Sequence, residues 1–176
     1  SKANKFTIDL PNEIFSYSST PEWTDQYGLF EEDGFNEYHV AMSATESAYA
    51  NERVLACDPF NEETGILEEA MITVVLPYIK TARDGIKRLG NIVETHGAAE
   101  ANGILFADKN EAWYMEIGSG HHWVAQRIPD DSYAVVANQL SIQIIDFNDS
   151  DNFMYSNNIN QFVIDQNLWP QDKPFD

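Results

Sequence analysis

The residues with the most reactive side chains are one cysteine and four histidines. Cys57 could act as a nucleophile if the imidazole of His39 or His121 accepted its proton. The neighbouring carboxylate of Asp58 disfavours a thiolate, and no helix begins near Cys57 to favour one. We therefore interpret Cys57 as an ordinary buried thiol and keep a Cys57–His39 thiol hydrolase as an alternative.

The candidate metal ligands do not have metal-site spacing. His121 and His122 are adjacent in a predicted strand, so their side chains should point to opposite faces of a sheet. The consecutive acids Glu31, Glu32 and Asp33 lack the alternate spacing of a calcium loop, and we interpret them as a solvated turn. The sequence also contains no glycine-rich phosphate loop, nucleophile elbow or metalloprotease helix motif. We expect no metal ion and no cofactor.

Composition limits the class of protein and its partners. The chain has 176 residues, 43% of them hydrophobic, which is enough for one domain with a substantial core. Its net charge of −19 repels phosphate, and no cluster of Lys and Arg offsets this, so we exclude nucleic acid and anionic membranes as partners. One cysteine allows no internal disulfide, and no run of about 20 apolar residues could span a bilayer. We expect a soluble, cytoplasmic protein.

Three segments have the spacing of apolar residues that is typical of helices. The first covers residues 66–76, with Thr64 as its cap, and the second covers residues 82–96, with Thr81 as its cap. The third, over residues 158–168, is weakly amphipathic. We expect the first two to form a layer over a sheet.

Strands are predicted on both sides of the long helical region. The strand-like runs are residues 6–10, 39–44, 103–107, 112–117, 121–128 and 132–137. The last four should form an antiparallel meander, which indicates an α+β protein with helices packed on an antiparallel sheet. Small residues at 43–47 leave room for a ligand or for another backbone.

Several blocks of sequence match one family motif by motif. They are Asn36-Glu37, residues 40–47, Asp58-Pro59-Phe60, residues 74–80, residues 87–90, residues 111–116, residues 120–125 and Val135-Val136-Ala137-Asn138-Gln139. From residue 5 to residue 170, the chain resembles the bacterial cysteine dipeptidases of the N-terminal-nucleophile hydrolase superfamily. The resemblance implies a four-layer αββα sandwich, in which two antiparallel sheets lie between outer helices, and here only part of it.

The resemblance also implies a catalytic cysteine at the mature N-terminus. Its own α-amino group, with an unperturbed pKa of about 8, would take the proton of the thiol. This chain starts at Ser1, and Cys57 lies in an interior block that does not correspond to the nucleophile. We interpret Ser1 as an expression-tag remnant or a fragment end. Residues 1–176 are therefore predicted to be a single partial domain, the central fragment of a larger dipeptidase, and inactive alone.

Two residues are assigned to the site by the resemblance. Asn138 matches an asparagine that helps to hold the tetrahedral intermediate, and its amide N–H could donate to an oxyanion. Glu46 falls where relatives carry an amide, but an ionised carboxylate cannot donate. Either a backbone N–H replaces that amide, or Glu46 binds the ammonium group of a dipeptide. The plainer alternatives are a turn-bonding role for Asn138 and a cap or surface role for Glu46.

The resemblance leaves a second class of function open. The substrates it implies are dipeptides, whereas a non-catalytic acidic module for binding or assembly could keep the same fold. Exposed sheet edges would also favour self-association into a homo-oligomer.

Overall fold

The computed structural model describes residues 3–46, 49–170 and 172–175. Seven strands form one antiparallel sheet in which each strand pairs with the next along the chain. The strands are β1 Tyr17–Pro21, β2 Glu31–Asn36, β3 Ala41–Glu46, β4 Asn102–Ala107, β5 Ala112–Ile117, β6 Trp123–Ile128 and β7 Phe153–Tyr155. The predicted α+β class and the β4–β5–β6 meander are confirmed.

The helices lie mainly between β3 and β4. They are α1 Glu52–Leu55, α2 Glu68–Val75, a 3₁₀ turn Leu76–Tyr78, α3 Ala82–His96 and, near the end of the chain, α4 Ile159–Asp165. None of the helices in the described residues has the length and apolar character needed to cross a membrane.

The two predicted helix caps have different outcomes. The Thr81 hydroxyl accepts the N–H of Asp84 at 3.1 Å, and α3 ends at Gly97 with φ of 79°, as expected. By contrast, α2 begins after Leu67, and the Thr64 hydroxyl bonds to Asn61 instead, so the prediction of Thr64 as a cap is wrong. The first N–H of α2 donates to the carboxylate of Glu100 at 2.9 Å, so a residue distant in sequence supplies the acceptor.

One face of the sheet packs against α2 and α3. Alternation along the strands points Phe106, Trp113 and Met115 to this face, where all three are buried. A Cβ on Gly85 of α3 would lie 2.5 Å from the Phe106 ring, so glycine lets this helix approach the sheet closely. This contact builds the core.

The opposite face of the sheet is only partly covered. Leu105 is 41% exposed there and Phe35 is 60% exposed. Tyr114 and Glu116 are buried on the same face, since residues 139–142 lie against them. The candidate site lies at this covered part of the sheet, where residues 139–142 contact β5.

Two predicted strands do not form. Residues 6–10 run along the helical layer, where Lys5 donates its N–H to the carbonyl of Glu63 and Phe6 is buried. Residues 132–137 are irregular, and the side chains of Tyr133 and Val135 are 88% and 86% exposed. In both cases the apolar spacing indicated a segment able to pack, but a strand also needs a neighbouring strand to pair with.

The sequence reasoning also missed β1, β2 and β7, and the solvated acidic turn is wrong. Glu31 lies in β2 with only 5% exposure. The hydroxyls of Tyr17, Ser19 and Thr73 donate to its carboxylate at 3.1, 2.6 and 2.8 Å. Burial, followed by the charge of Glu31, raises the pKa of Tyr17 to about 12. Three consecutive acids are typical of an exposed turn, but here they begin a strand in which hydroxyl donors satisfy the buried first acid.

Candidate active site

Polar groups gather at one end of the sheet. Cross-strand pairing places Glu46 of β3, Asn102 of β4, Ile117 of β5 and Trp123 of β6 in one row at this end. We call it the Glu46 end. The turn between β5 and β6 leaves the sheet here, so its polar groups meet those of the chain that follows β3.

The first cluster at this end, the Asp58 cluster, consists of Asp58, Ser119 and His121. The Asp58 carboxylate accepts from the Ser119 hydroxyl at 2.7 Å and from the His121 backbone N–H at 2.7 Å, and it lies 2.8 Å from His121 Nδ1. A Cβ on Gly120 would lie 2.2 Å from the carbonyl oxygen of Pro59, so the two loops touch. Asp58 therefore ties residues 119–121 to the chain that follows α1.

The hydrogen bonds of the Asp58 cluster lower the pKa of Asp58. Burial would raise the pKa of Asp58, but the bonds from His121 and Ser119 outweigh burial and hold the pKa below its ordinary value. Because the Ser119 hydroxyl donates to Asp58 and not to the imidazole of His121, the three residues do not form a nucleophile–base pair. The hydrogen bonds of the cluster therefore hold residues 119–121 against the loop that contains Asp58.

The second cluster, the Glu116 cluster, consists of Tyr114, Glu116, Ser141 and Ile142. Oε1 of Glu116 accepts the backbone N–H of Ser141 and that of Ile142, the latter at 3.0 Å. The hydroxyl of Tyr114 lies near this carboxylate and donates to the carbonyl of Gln139 at 3.4 Å. Burial raises the pKa of Glu116, although the hydrogen bonds from Ser141 and Ile142 oppose it. Burial and the charge of Glu116 raise the pKa of Tyr114.

The two adjacent histidines have different surroundings. β6 begins two residues after His121, so both precede the strand in which they were predicted. His122 Nδ1 lies 2.9 Å from the Ser156 hydroxyl, its ring lies 4.3 Å from the Phe162 ring, and burial lowers its pKa. Within the described ranges, no three His, Cys, Asp or Glu side chains lie close enough to hold a metal ion.

A largely apolar cavity of about 190 Å³ lies beside His122. Its walls come from α4, from the start of β6 and from Leu140, and Glu116 also lines it. The cavity thus adjoins the segment that follows Asn138.

Asn138 has an exposed side chain in an irregular segment. It does not end a strand, since residues 132–137 form none. The next residue, Gln139, accepts the Tyr114 hydroxyl through its carbonyl at 3.4 Å, and Ser141 is bound by Glu116. Asn138 therefore lies beside the Glu116 cluster, and its role as an oxyanion donor stays a prediction.

Glu46 is the last residue of β3, and its side chain lies outside the described part of the chain, as do Ser1 and Ser47. Its predicted role is therefore untested. The preceding residue, Thr45, shares a cross-strand row with Gly103 and Glu116. Two strand spacings put Thr45 about 10 Å from Glu116. The fold thus brings the backbone of Glu46 and the anchored segment after Asn138 to the same end of the sheet.

Cys57 is exposed, so the prediction of a buried thiol is wrong. It precedes Asp58 at the Glu46 end, whereas His39 lies before the other end of β3. The length of β3 separates these ends by about 17 Å. This separation rules out a Cys57–His39 pair.

Sequence reasoning did not single out Asp58 or Glu116 as buried acids. A signal existed for Glu116, because one carboxylate inside the apolar run of β5 needs buried hydrogen-bond donors. No local pattern names those donors, since Ser141 lies 25 positions further along the chain.

Comparison with known proteins identifies the family. The family model described as Peptidase family C69 matches residues 1–176. A probable dipeptidase of Latilactobacillus sakei is 55% identical over 172 residues, which are 98% of this chain and 36% of that protein. Dipeptidase A of Lactobacillus helveticus is 40% identical over 164 residues, 92% of this chain and 35% of that protein. The dipeptidase of Bifidobacterium longum is 46% identical over 155 residues, 82% of this chain and 29% of that protein.

The chain thus spans about a third of the length of these relatives. The match to the family model over all 176 residues, together with these identities, decides the assignment. The chain belongs to peptidase family C69.

Proposed function

We propose that this chain is part of a longer enzyme that hydrolyses dipeptides. The observation that carries the proposal is the family match over residues 1–176. Relatives that are 40% to 55% identical are named dipeptidases, and each is about three times as long. Dipeptides are the substrates that those names indicate.

The nucleophile in this proposal is a cysteine outside the 176 residues, with its α-amino group as the base. Within the described residues, the thiol of Cys57 forms no hydrogen bond with an imidazole, and Nδ1 of His121 already bonds to Asp58. In the described residues, no imidazole is thus placed to take the proton of the Cys57 thiol. The 176-residue chain alone is therefore expected to be inactive.

Asn138 and Glu46 would contribute to binding and catalysis. The exposed amide of Asn138 is free to turn toward a substrate and donate to an oxyanion, while its backbone is held by the anchored residues that follow. Glu46, at the same end of the sheet, would bind the ammonium group of the dipeptide. Both roles need a substrate between the two segments.

The direct test is a dipeptidase assay of the 176-residue chain, of the longer protein and of its Cys57→Ala variant. We expect turnover by the longer protein, with or without Cys57, and none by the chain alone. Turnover by the chain that is lost on Cys57→Ala would contradict the proposed nucleophile. Failure of the longer protein to cleave any dipeptide would favour a non-catalytic acidic module.

Replacement of the two site residues tests their roles separately. Asn138→Ala should lower kcat roughly a hundredfold through loss of an oxyanion donor. The control is Asn148→Ala, which changes another exposed asparagine. A loss of only a few-fold would return Asn138 to a turn-bonding role.

Glu46→Gln should raise KM for free dipeptides roughly tenfold, because a charged hydrogen bond to the ammonium group is lost. It should leave KM for N-acetylated dipeptides unchanged, since these have no ammonium group. Glu52→Gln, an exposed acid in α1, is the control. Equal effects on both substrates would exclude ammonium binding.

Location and assembly stay predictions as well. We propose the cytoplasm as the compartment, in keeping with the single cysteine, and self-association through the sheet edges β1 and β7. Light scattering of the purified chain measures its oligomeric state, and a monomer at all concentrations would exclude self-association.

A further inference from the structure

Glu116 is an ionisable side chain in an unusual place. It is 4% exposed, and neighbours in β5 such as Trp113, Met115 and Ile117 are buried apolar residues. In the described part of the chain, no Lys, Arg or His forms an ion pair with it. A buried carboxylate of this kind is costly unless hydrogen bonds satisfy it.

Those hydrogen bonds come from a segment that is distant in sequence. One oxygen of Glu116 accepts both the N–H of Ser141 and the N–H of Ile142. Tyr114, two residues earlier in β5, holds the same segment by donating its hydroxyl to the carbonyl of Gln139. Residues 139–142 belong to no strand or helix, so these contacts from β5 fix their place on the sheet.

Asn138 immediately precedes this anchored segment. Its own side chain is exposed, and a backbone bond from the N–H of Gln139 to the carbonyl of Ala137 at 2.7 Å spans it. The position of Asn138 over the sheet therefore depends on how firmly Ser141 and Ile142 are held.

We propose that Glu116 is a positioning residue that fastens residues 139–142 to β5 and thereby holds Asn138 in place for catalysis. The inference rests on the proposed function only for the role of Asn138. The fastening itself can be measured in the 176-residue chain without any assay of activity.

Amide hydrogen exchange followed by NMR tests the fastening. Glu116→Ala should speed exchange at Ser141 and Ile142 roughly tenfold or more, because both N–H groups lose their acceptor. Glu116→Gln, which keeps an acceptor oxygen, should restore most of the protection. Exchange in the β4–β5 hairpin should not change in either variant.

Glu31→Ala is the matched control. Glu31 is also a buried acid in a strand with three donors, but those donors are hydroxyls of β1 and α2 far from Asn138. It should leave exchange at Ser141 and Ile142 unchanged. If Glu116→Ala does not fold, Ser141→Pro removes one of the two donated N–H groups from the other side and should expose Ile142 in the same way.

Kinetics of the longer protein test the link to Asn138. Glu116→Ala should lower kcat at least tenfold with KM nearly unchanged, and it should have little further effect in an Asn138→Ala background. Full additivity of the two losses would overturn the link, and equal exchange in Glu116→Ala and the wild type would overturn the fastening. Absence of dipeptide turnover by the wild type would defeat the proposed function while the exchange result still stood.

Discussion

Two buried carboxylates at the Glu46 end, Asp58 and Glu116, each bind a loop, but their pKa values are shifted in opposite directions. The carboxylate of Asp58 accepts the backbone N–H of His121, and that of Glu116 accepts those of Ser141 and Ile142, so each binds a loop. The pKa of Asp58 lies below its ordinary value, whereas the pKa of Glu116 lies above its own. The same chemical group can thus fasten a loop whether or not the site favours its charge.

The difference comes from the donors and from burial. Asp58 is 9% exposed and accepts from a hydroxyl, a backbone N–H and an imidazole. Glu116 is 4% exposed, and its donors are the neutral N–H groups of Ser141 and Ile142. At Glu116 burial outweighs the hydrogen bonds, whereas at Asp58 the side-chain bonds from His121 and Ser119 outweigh burial.

The largest effect on stability should come from Asp58→Ala. We expect a loss of about 3 kcal/mol, because the hydroxyl of Ser119, a residue that is 1% exposed, and the His121 N–H both lose their acceptor. Glu116→Ala should cost less, about 1 to 2 kcal/mol, since it also removes a carboxylate that burial disfavours. Denaturant unfolding measures both, and a larger loss for Glu116→Ala would break the comparison.

The pH dependence of Asp58→Asn should be smaller in size. Because the folded pKa of Asp58 lies below the ordinary 3.8, its contribution to stability is present above that pH and disappears as the pH falls through the folded value. The wild type should therefore lose more stability than Asp58→Asn between pH 5 and pH 2. Parallel curves of Tm against pH would mean that the hydrogen bonds of Asp58 do not favour its charge.

Glu116→Gln should give the smallest effect, with the opposite slope. Since the folded pKa of Glu116 lies above the ordinary 4.5, its contribution is full below that pH and is lost as the pH rises through the folded value. The variant should gain stability relative to the wild type from pH 4 to pH 7. A relative loss over this range, measured by the same thermal unfolding, would show that hydrogen bonding outweighs burial at Glu116.

The elements that local residues specify were predictable. The Thr81 cap and Gly97 mark the two ends of α3, and the turn at residues 108–111 marks the β4–β5 hairpin. The predicted strand at residues 132–137 does not form, and β2 was hidden by its acids, because strand pairing and burial among hydroxyls depend on partners elsewhere in the chain.

The residues of the candidate site also divide into those that local sequence predicts and those that depend on distant partners. Family motifs identify Asn138 and Glu46 as candidates, since such motifs can be recognised from short stretches of sequence. The prediction that Cys57 is buried is wrong, because its exposure depends on the packing of distant segments. Neither Asp58 nor Glu116 was named, since their donors lie 61 to 63 and 25 to 26 positions away in the sequence.

By itself, the sequence determined the acidic character, the α+β class and the family. Composition is a sum over the chain, and periodicity and motifs depend on residues that are close together in the sequence. Only the tertiary structure decided which loops meet at the Glu46 end and which carboxylates hold them. It also decided that the pKa of Asp58 lies below its ordinary value and the pKa of Glu116 above its own. Charge states and loop positions depend on burial and on donors from distant segments, and both exist only once the chain has folded.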